Sequence, residues 1–250
     1  MPRDDDHAIG KLPAAEAFLP TIPPAPDMPT DPVSIEVDKT HTVSGLLQHA
    51  DGATACLILA HGAGAGMTHR FMAAVAGGLA HRRIATLRYQ FPYMESGSKR
   101  PDRPALAHAT VRAAVAAAAR LLPGLKLFAG GKSFGGRMTS QAQAESPLPR
   151  VRGLVFLGFP LHPSGKPSDE RARHLAAVHI PMLFVQGTRD ALADTRLLVP
   201  VVDALDPAAE LHLIEDADHS FHVPARLGKT DDQVLDHVLN HVATWMRKTE

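Results

Sequence analysis

The sequence predicts a doubly wound, mostly parallel α/β sheet with no cap domain inserted above it. Two observations carry the prediction, and a third places the chemistry. First, Cys56–Ala60, Ile84–Leu87, Leu125–Ala129, Val151–Leu157 and Ile180–Val185 are short apolar runs without polar alternation. Such runs suit strands covered on both faces. Second, the stretches between them carry apolar residues at helical spacing, which argues strand–helix alternation. Third, one serine flanked by glycines stands directly after one of these runs.

The elements follow in order. Residues 1–32 hold eight of the 21 prolines, among them Pro20, Pro23, Pro24, Pro26, Pro29 and Pro32. Proline removes backbone donors, so this segment reads as a disordered tail, with the folded domain at 33–250. Val33–Val37 and Val43–Leu47 alternate and read as half-buried opening strands. Leu211–Ile214 closes the strand series. Phe71, Met72, Val75 and Leu79 mark one helix, and the Ala-rich residues 104–122 mark another, stopped by Pro123–Gly124. The last helix opens with Thr230 and Gln233 at capping-box spacing and shows an apolar face from Val234 to Met246. Between Leu157 and Ile180 there is room only for a loop and one short helix.

Composition excludes several classes. The 250 residues are 45% hydrophobic, enough for a sizeable core, and Lys plus Arg equals Asp plus Glu at 26 each. No net field therefore exists to attract nucleic acid or an acidic membrane surface. Cys56 stands alone, so no intramolecular disulfide forms. The acidic N-terminus lacks an apolar signal region, and no run is long enough to span a membrane, so a cytoplasmic protein is expected. The 15 histidines are scattered. His212, His219 and His222 form the only cluster, and the carboxylates beside them have other uses, so neither metal nor cofactor is expected.

The chemistry centres on Gly131-Lys132-Ser133-Phe134-Gly135. A serine projected from the tip of a strand needs a sharp turn, and side chains two residues before and after it would clash. A phosphate-binding loop would need glycine where Lys126 stands, and a dinucleotide fingerprint in Gly62–Met67 would need glycine at Met67. Both readings fail. For the base, His219 lies just beyond the Leu211–Ile214 strand, with His222 as competitor. Asp190, past the Ile180–Val185 strand, is expected to hold the imidazole; Asp194 is the alternative, and Asp190 could instead cap the following helix. The order Ser133, Asp190, His219 is that of α/β-hydrolases. Backbone amides of Phe134 and Ala63 are the expected oxyanion donors. His61 reads as bracing the Ala63 loop. Phe91, Pro92, Tyr93, Met94, Phe159 and Leu161 are candidates for the substrate wall, with packing as the alternative for each.

The segments LILAHGAGAGM, FAGGKSFGGRM, FPLHPSGKP, VQGTRD and DADHSF resemble those of a small group of lidless α/β-hydrolases distantly similar to dienelactone hydrolases. The likeness runs from about residue 35 to the C-terminus. It implies the triad Ser133, Asp190 and His219 at matching positions and brings no substrate. Dienelactone hydrolases use cysteine as nucleophile where this chain has serine. The expected function is hydrolysis of small acyl esters or thioesters through an acyl-enzyme, with a small-molecule acyl substrate and oligomeric state left open. The wider group also resembles a chromatin-complex subunit, so the alternative is a catalytically weak or inactive protein-interaction module.

Overall fold

The computed structural model describes residues 29–249 apart from residue 206. Eight strands form one sheet: β1 (Thr30–Glu36), β2 (Thr42–Gln48), β3 (Ala55–Ala60), β4 (Ile84–Tyr89), β5 (Lys126–Lys132), β6 (Val151–Leu157), β7 (Met182–Gly187) and β8 (Ala209–Ile214). Their spatial order is β1-β2-β4-β3-β5-β6-β7-β8. β2 runs antiparallel to both β1 and β4, and the other pairs are parallel. The helices are α1 (Arg70–Ala80), α2 (Pro92–Glu95), α3 (Pro104–Leu121), α4 (Phe134–Glu145), α5 (Thr195–Asp203) and α6 (Asp231–Lys248).

The central strands explain why the sequence shows no polar alternation. In β3, Cys56, Ile58 and Ala60 pack with α3 and α4 residues such as Val111, Val115 and Met138. Ala55, Leu57 and Leu59 face the opposite layer, with Met72, Val75 and Leu79 of α1 and Val238, Val242 and Trp245 of α6. Side chains still alternate along the strand, but both faces are dry. α6 opens on the expected capping box. Thr230 Oγ1 accepts from the Gln233 amide at 3.2 Å and Gln233 Oε1 from the Thr230 amide at 2.9 Å. Asp231 and Asp232 in its first turn, and Arg247 and Lys248 in its last, suit the helix dipole.

Some element boundaries differ from the sequence reading. β1 begins at Thr30, so Thr30, Asp31 and Pro32, read as part of the tail, pair with Gln48, Leu47 and Leu46. Proline is tolerated there because β1 is an edge strand. Residues 1–28 of that tail lie outside the described residues. β7 starts at Met182 rather than Ile180, and the Pro181 carbonyl is used by the Leu154 amide. Between β6 and β7 the only helical element is a 3₁₀ segment, Glu170–Ala177, and there is no cap. Among the described residues no helix is long and apolar enough to cross a membrane.

Parallel strands put their carboxyl ends on one rim. The segments following β3, β5, β6, β7 and β8 therefore open on the same edge of the sheet.

Candidate active site

Ser133 follows β5 and occupies the cap position of α4, with φ 50° and ψ −116°. This is a costly conformation for a residue with a side chain, and the packing around it enforces the turn. A Cβ on Gly131 would lie 2.3 Å from the Ala60 carbonyl oxygen. One on Gly135 would lie 2.6 Å from the His61 carbonyl oxygen. Both glycines are thus required by the end of β3, which presses directly on the elbow.

Asp190 and His219 meet across two loops. His219 Nδ1 donates to Asp190 Oδ2 at 2.6 Å, leaving Nε2 as the ring's proton acceptor. The Asp190 side chain is fully buried. A buried carboxylate needs donors, and it has them: Gln186 Nε2 reaches Oδ2 at 2.5 Å and the Leu192 amide reaches Oδ1 at 2.7 Å. Gln186 Oε1 accepts in turn from the Phe159 amide at 2.8 Å. Asp218 shapes the histidine loop, with Oδ1 accepting from the Ser220 and His222 amides at 2.7 and 3.0 Å. Ser133 Oγ and His219 are not hydrogen-bonded to each other among the described residues. Resting sites of this kind are often loose before substrate arrives.

Lys132, beside the serine, binds the same loop from below. Its Nζ donates to the His219 carbonyl. The ammonium also lies 5.4 Å from the Phe221 ring centroid and 5.9 Å from that of Phe71. Burial pushes its pKa down to about 8, against the raising effect of Asp190 and Asp218. Gly158 makes room for this arrangement. At φ 73°, a Cβ there would meet Lys132 Nζ at 2.7 Å and the His219 imidazole at 3.4 Å.

The β3 loop closes over the elbow. A Cβ on Gly62 would sit 3.8 Å from Ser133 Cβ, so the loop carrying Ala63 runs alongside the nucleophile. Neither the Ala63 nor the Phe134 amide donates to a backbone acceptor among the described residues. The Gly64 amide donates to Tyr93 Oη at 3.1 Å. His61 is a brace: its Nδ1 donates to the Gly62 carbonyl at 2.8 Å and its Nε2 accepts from the Phe91 amide at 3.1 Å. Burial lowers its pKa, which suits this neutral form.

The competitors are placed elsewhere. His222 pairs with Asp231 at 2.9 Å on the surface, and that partner raises its pKa. Asp194 caps α5, accepting from the Arg196 amide at 2.9 Å. Because Asp194 holds that position, Asp190 is not the helix cap. His212 faces α6, its Nε2 3.1 Å from His237 Nε2 and its ring stacked on His241. Among the described residues no group of three or more His, Cys, Asp or Glu side chains is placed to hold a metal ion. For the candidate substrate wall the packing alternative holds at Phe91, Pro92, Tyr93, Phe159 and Leu161, which are buried, and of the six only Met94 keeps partial exposure. Phe159 packs on Phe156 and Phe184 in the core.

Sequence reasoning missed Gln186, Gly158 and Lys132. Gln186 left a signal, as the one amide side chain in an otherwise apolar strand. For Gly158 and Lys132 the signal lies only in the fold.

A mostly parallel eight-stranded sheet, a serine on a strained strand–helix turn and a histidine–carboxylate pair on the same rim define the class of α/β hydrolases. The chain belongs to the α/β hydrolase domain family, which it matches over residues 53–247. Its fold is similar to that of a dienelactone hydrolase from Anabaena variabilis, at TM-score 0.70 and 22% identity, covering 88% of this chain and 98% of that one. A lidless α/β serine hydrolase from Xanthomonas campestris is similar at TM-score 0.68 and 18% identity, covering 91% and 98%. An esterase domain from Rhodothermus marinus gives TM-score 0.69 at 14% identity, covering 89% and 99%.

Proposed function

We propose that this hydrolase cleaves small acyl esters or thioesters through a Ser133–His219–Asp190 triad and an acyl-enzyme intermediate. The observation that carries the reading is the His219–Asp190 hydrogen bond of 2.6 Å, formed on the rim where Ser133 is held at positive φ. The esterase and serine hydrolase identities of proteins with similar folds support it.

In this mechanism Ser133 Oγ attacks the acyl carbonyl while His219 Nε2 takes its proton. Asp190, itself held by Gln186 and the Leu192 amide, keeps the proton on Nδ1 so that Nε2 remains the acceptor. The Phe134 and Ala63 amides donate to the oxyanion that forms. His219 then gives its proton to the departing alkoxide or thiolate, and the acyl group stays on Oγ. Water, deprotonated by the same nitrogen, attacks the acyl-enzyme and releases the carboxylic acid. No step requires a metal or a cofactor.

The test is a fluorophosphonate probe followed by mass spectrometry, with a panel of p-nitrophenyl and thioester substrates. Labelling should map to Ser133 and vanish in Ser133→Ala while the melting temperature holds. Labelling of a different serine would overturn the assignment. No label and no turnover of any ester, thioester or amide would replace the enzyme with the protein-interaction module.

A further inference from the structure

Among the described residues, the Arg137 guanidinium has no partner. It lies four residues after Ser133, on the first full turn of α4. Its amide donates to the Ser133 carbonyl at 3.1 Å, so it stands one helical turn beyond the serine. Helical side chains also lean toward the N-terminus, here toward the active-site rim. Arg137 is half-buried, and its Nε is sealed from solvent without a hydrogen-bond partner. Among the described residues its side chain makes neither an ion pair nor a hydrogen bond. Burial disfavours its charge, and the like charge of Arg171 adds to that.

Arg171, on the 3₁₀ segment, is the second half of the arrangement. It too is half-buried and forms no ion pair among the described residues. Its Nη1 donates weakly, at 3.4 Å, to the carbonyl of Pro160. Pro160 lies two residues beyond Gly158, whose backbone faces the His219 ring. Arg171 is thereby tied to the segment that borders the triad. The Arg137 charge also depresses His174 on the same 3₁₀ segment, behind the larger effect of burial. Ser140 of α4 meets His174 Nε2 at 2.8 Å, so the two elements touch, and the two arginines lie close enough there to feel each other's charge.

The surrounding protein explains none of this. Partly buried charges are costly unless paired, and a like charge nearby adds to the cost. Arg88 offers the contrast. It too has a sealed Nε, but it holds the Met67 carbonyl at 3.3 Å and so braces a loop. Arg137 braces nothing among the described residues. An anion with two oxygens matches the geometry of a planar guanidinium.

We propose that Arg137 and Arg171 form an anion subsite beside the Ser133 elbow, selecting ester substrates that carry an acidic group, carboxylate or phosphate. The inference rests on the hydrolase reading and narrows its substrate class.

The experiment compares acidic with neutral esters. p-Nitrophenyl hemiglutarate is set against p-nitrophenyl hexanoate, and 4-carboxyphenyl acetate against phenyl acetate. Each is measured with wild type, Arg137→Gln, Arg171→Gln and Arg137→Lys. The acidic-to-neutral ratio of kcat/KM should fall at least tenfold in both glutamine variants for one of the pairs. The pair that responds tells whether the acid sits on the acyl or the leaving side. Arg137→Lys should retain only part of the ratio, because it keeps the charge and loses the planar fork. Arg152→Gln, an exposed position on β6, should leave the ratio where it was. Glutarate or inorganic phosphate should inhibit hexanoate hydrolysis competitively, and whichever does so at lower concentration identifies the acid group.

Melting temperature separates a ligand role from a structural one. Removing an unpaired charge should hold or raise it, whereas a collapse in both Arg137 variants would make the arginine structural and overturn the proposal. Ratios unchanged in both pairs, or no competition by either anion, would do the same. Those results would leave hydrolysis of the neutral esters standing. A failure of the hydrolase reading shows itself differently, as no turnover of any ester and no labelling of Ser133.

Discussion

Ser133 caps α4 and Ser140 lies within it, and it is Ser140 that has the hydrogen bond to a histidine. Ser140 Oγ lies 2.8 Å from His174 Nε2, while Ser133 and His219 have no such bond. Ser140 is buried in mid-helix, with its Oγ also 2.9 Å from the Arg137 carbonyl, which competes for its one proton. Among the described residues His174 has no carboxylate behind it, and burial pushes its pKa down to about 4. Ser133 has the reverse set: partial exposure on the rim, a strained cap conformation, and, in the proposed triad, a histidine oriented by a buried carboxylate. A serine–histidine contact is thus a poor marker of a hydrolytic site. In the proposed triad, the backbone turn and the third residue distinguish the site.

Replacing each serine breaks the comparison most sharply. Ser133→Ala should lower kcat on a p-nitrophenyl ester by about 10⁵-fold or more, because a nucleophile and its base act as a unit. Ser140→Ala should stay within about twofold of wild type and cost some stability through the lost helix contact. Equal losses in steady-state assays would mean the two contacts are not different in kind.

The carboxylates come next. Asp190→Asn should lower kcat by about 10³- to 10⁴-fold, because the amide favours the wrong imidazole tautomer. Asp194→Asn should change it little, since asparagine caps a helix about as well as aspartate. A reversed ranking would place the orienting group at Asp194.

The glycine argument yields a smaller effect, read in stability. Gly135→Ala puts a methyl 2.6 Å from the His61 carbonyl, so something must shift. We expect a loss of about 1–3 kcal/mol in denaturant unfolding, the usual cost of overpacking. An unchanged unfolding midpoint would show that the elbow tolerates a side chain there.

Much of this was legible in the sequence where the cause is local. The dry strands announced themselves as unbroken apolar runs, the α6 cap as Thr230 and Gln233, and the elbow as Gly131 and Gly135. Asp190 and His219 were legible as partners because each follows a strand end, and parallel strands bring such ends together. What stayed hidden depends on contacts between distant segments. Lys132 reaches His219 across 87 positions, and Gln186 bridges Asp190 to Phe159 through a hydrogen bond spanning 27. The choice between wall and packing was hidden for the same reason: Phe159 follows a strand, and only its contacts with Phe156 and Phe184 show that it turns into the core. β1 began early because an edge strand accepts Pro32, which the count of prolines could not convey.

Lys132 offers the subtlest prediction, since it moves stability and activity in opposite directions. Its ammonium is desolvated, and its pKa is pushed down to about 8 from 10.5. Between those two values the unfolded chain holds a proton that the native protein has released. Stability from this group therefore rises with pH through the window, as the cost of a buried charge is relieved. Activity should fall over the same range. The bond from Nζ to the His219 carbonyl changes there from charge-assisted to neutral, roughly halving its strength, and the histidine loop is held less firmly. We expect kcat/KM, corrected for spontaneous ester hydrolysis, to drop several-fold from pH 7.5 to 9.5. Lys132→Met should start lower at pH 7.5 and show neither the alkaline fall in rate nor the gain in stability. An alkaline fall that survives in Lys132→Met would show that a different group governs it, leaving Lys132 as a packing residue under the Phe71 and Phe221 rings.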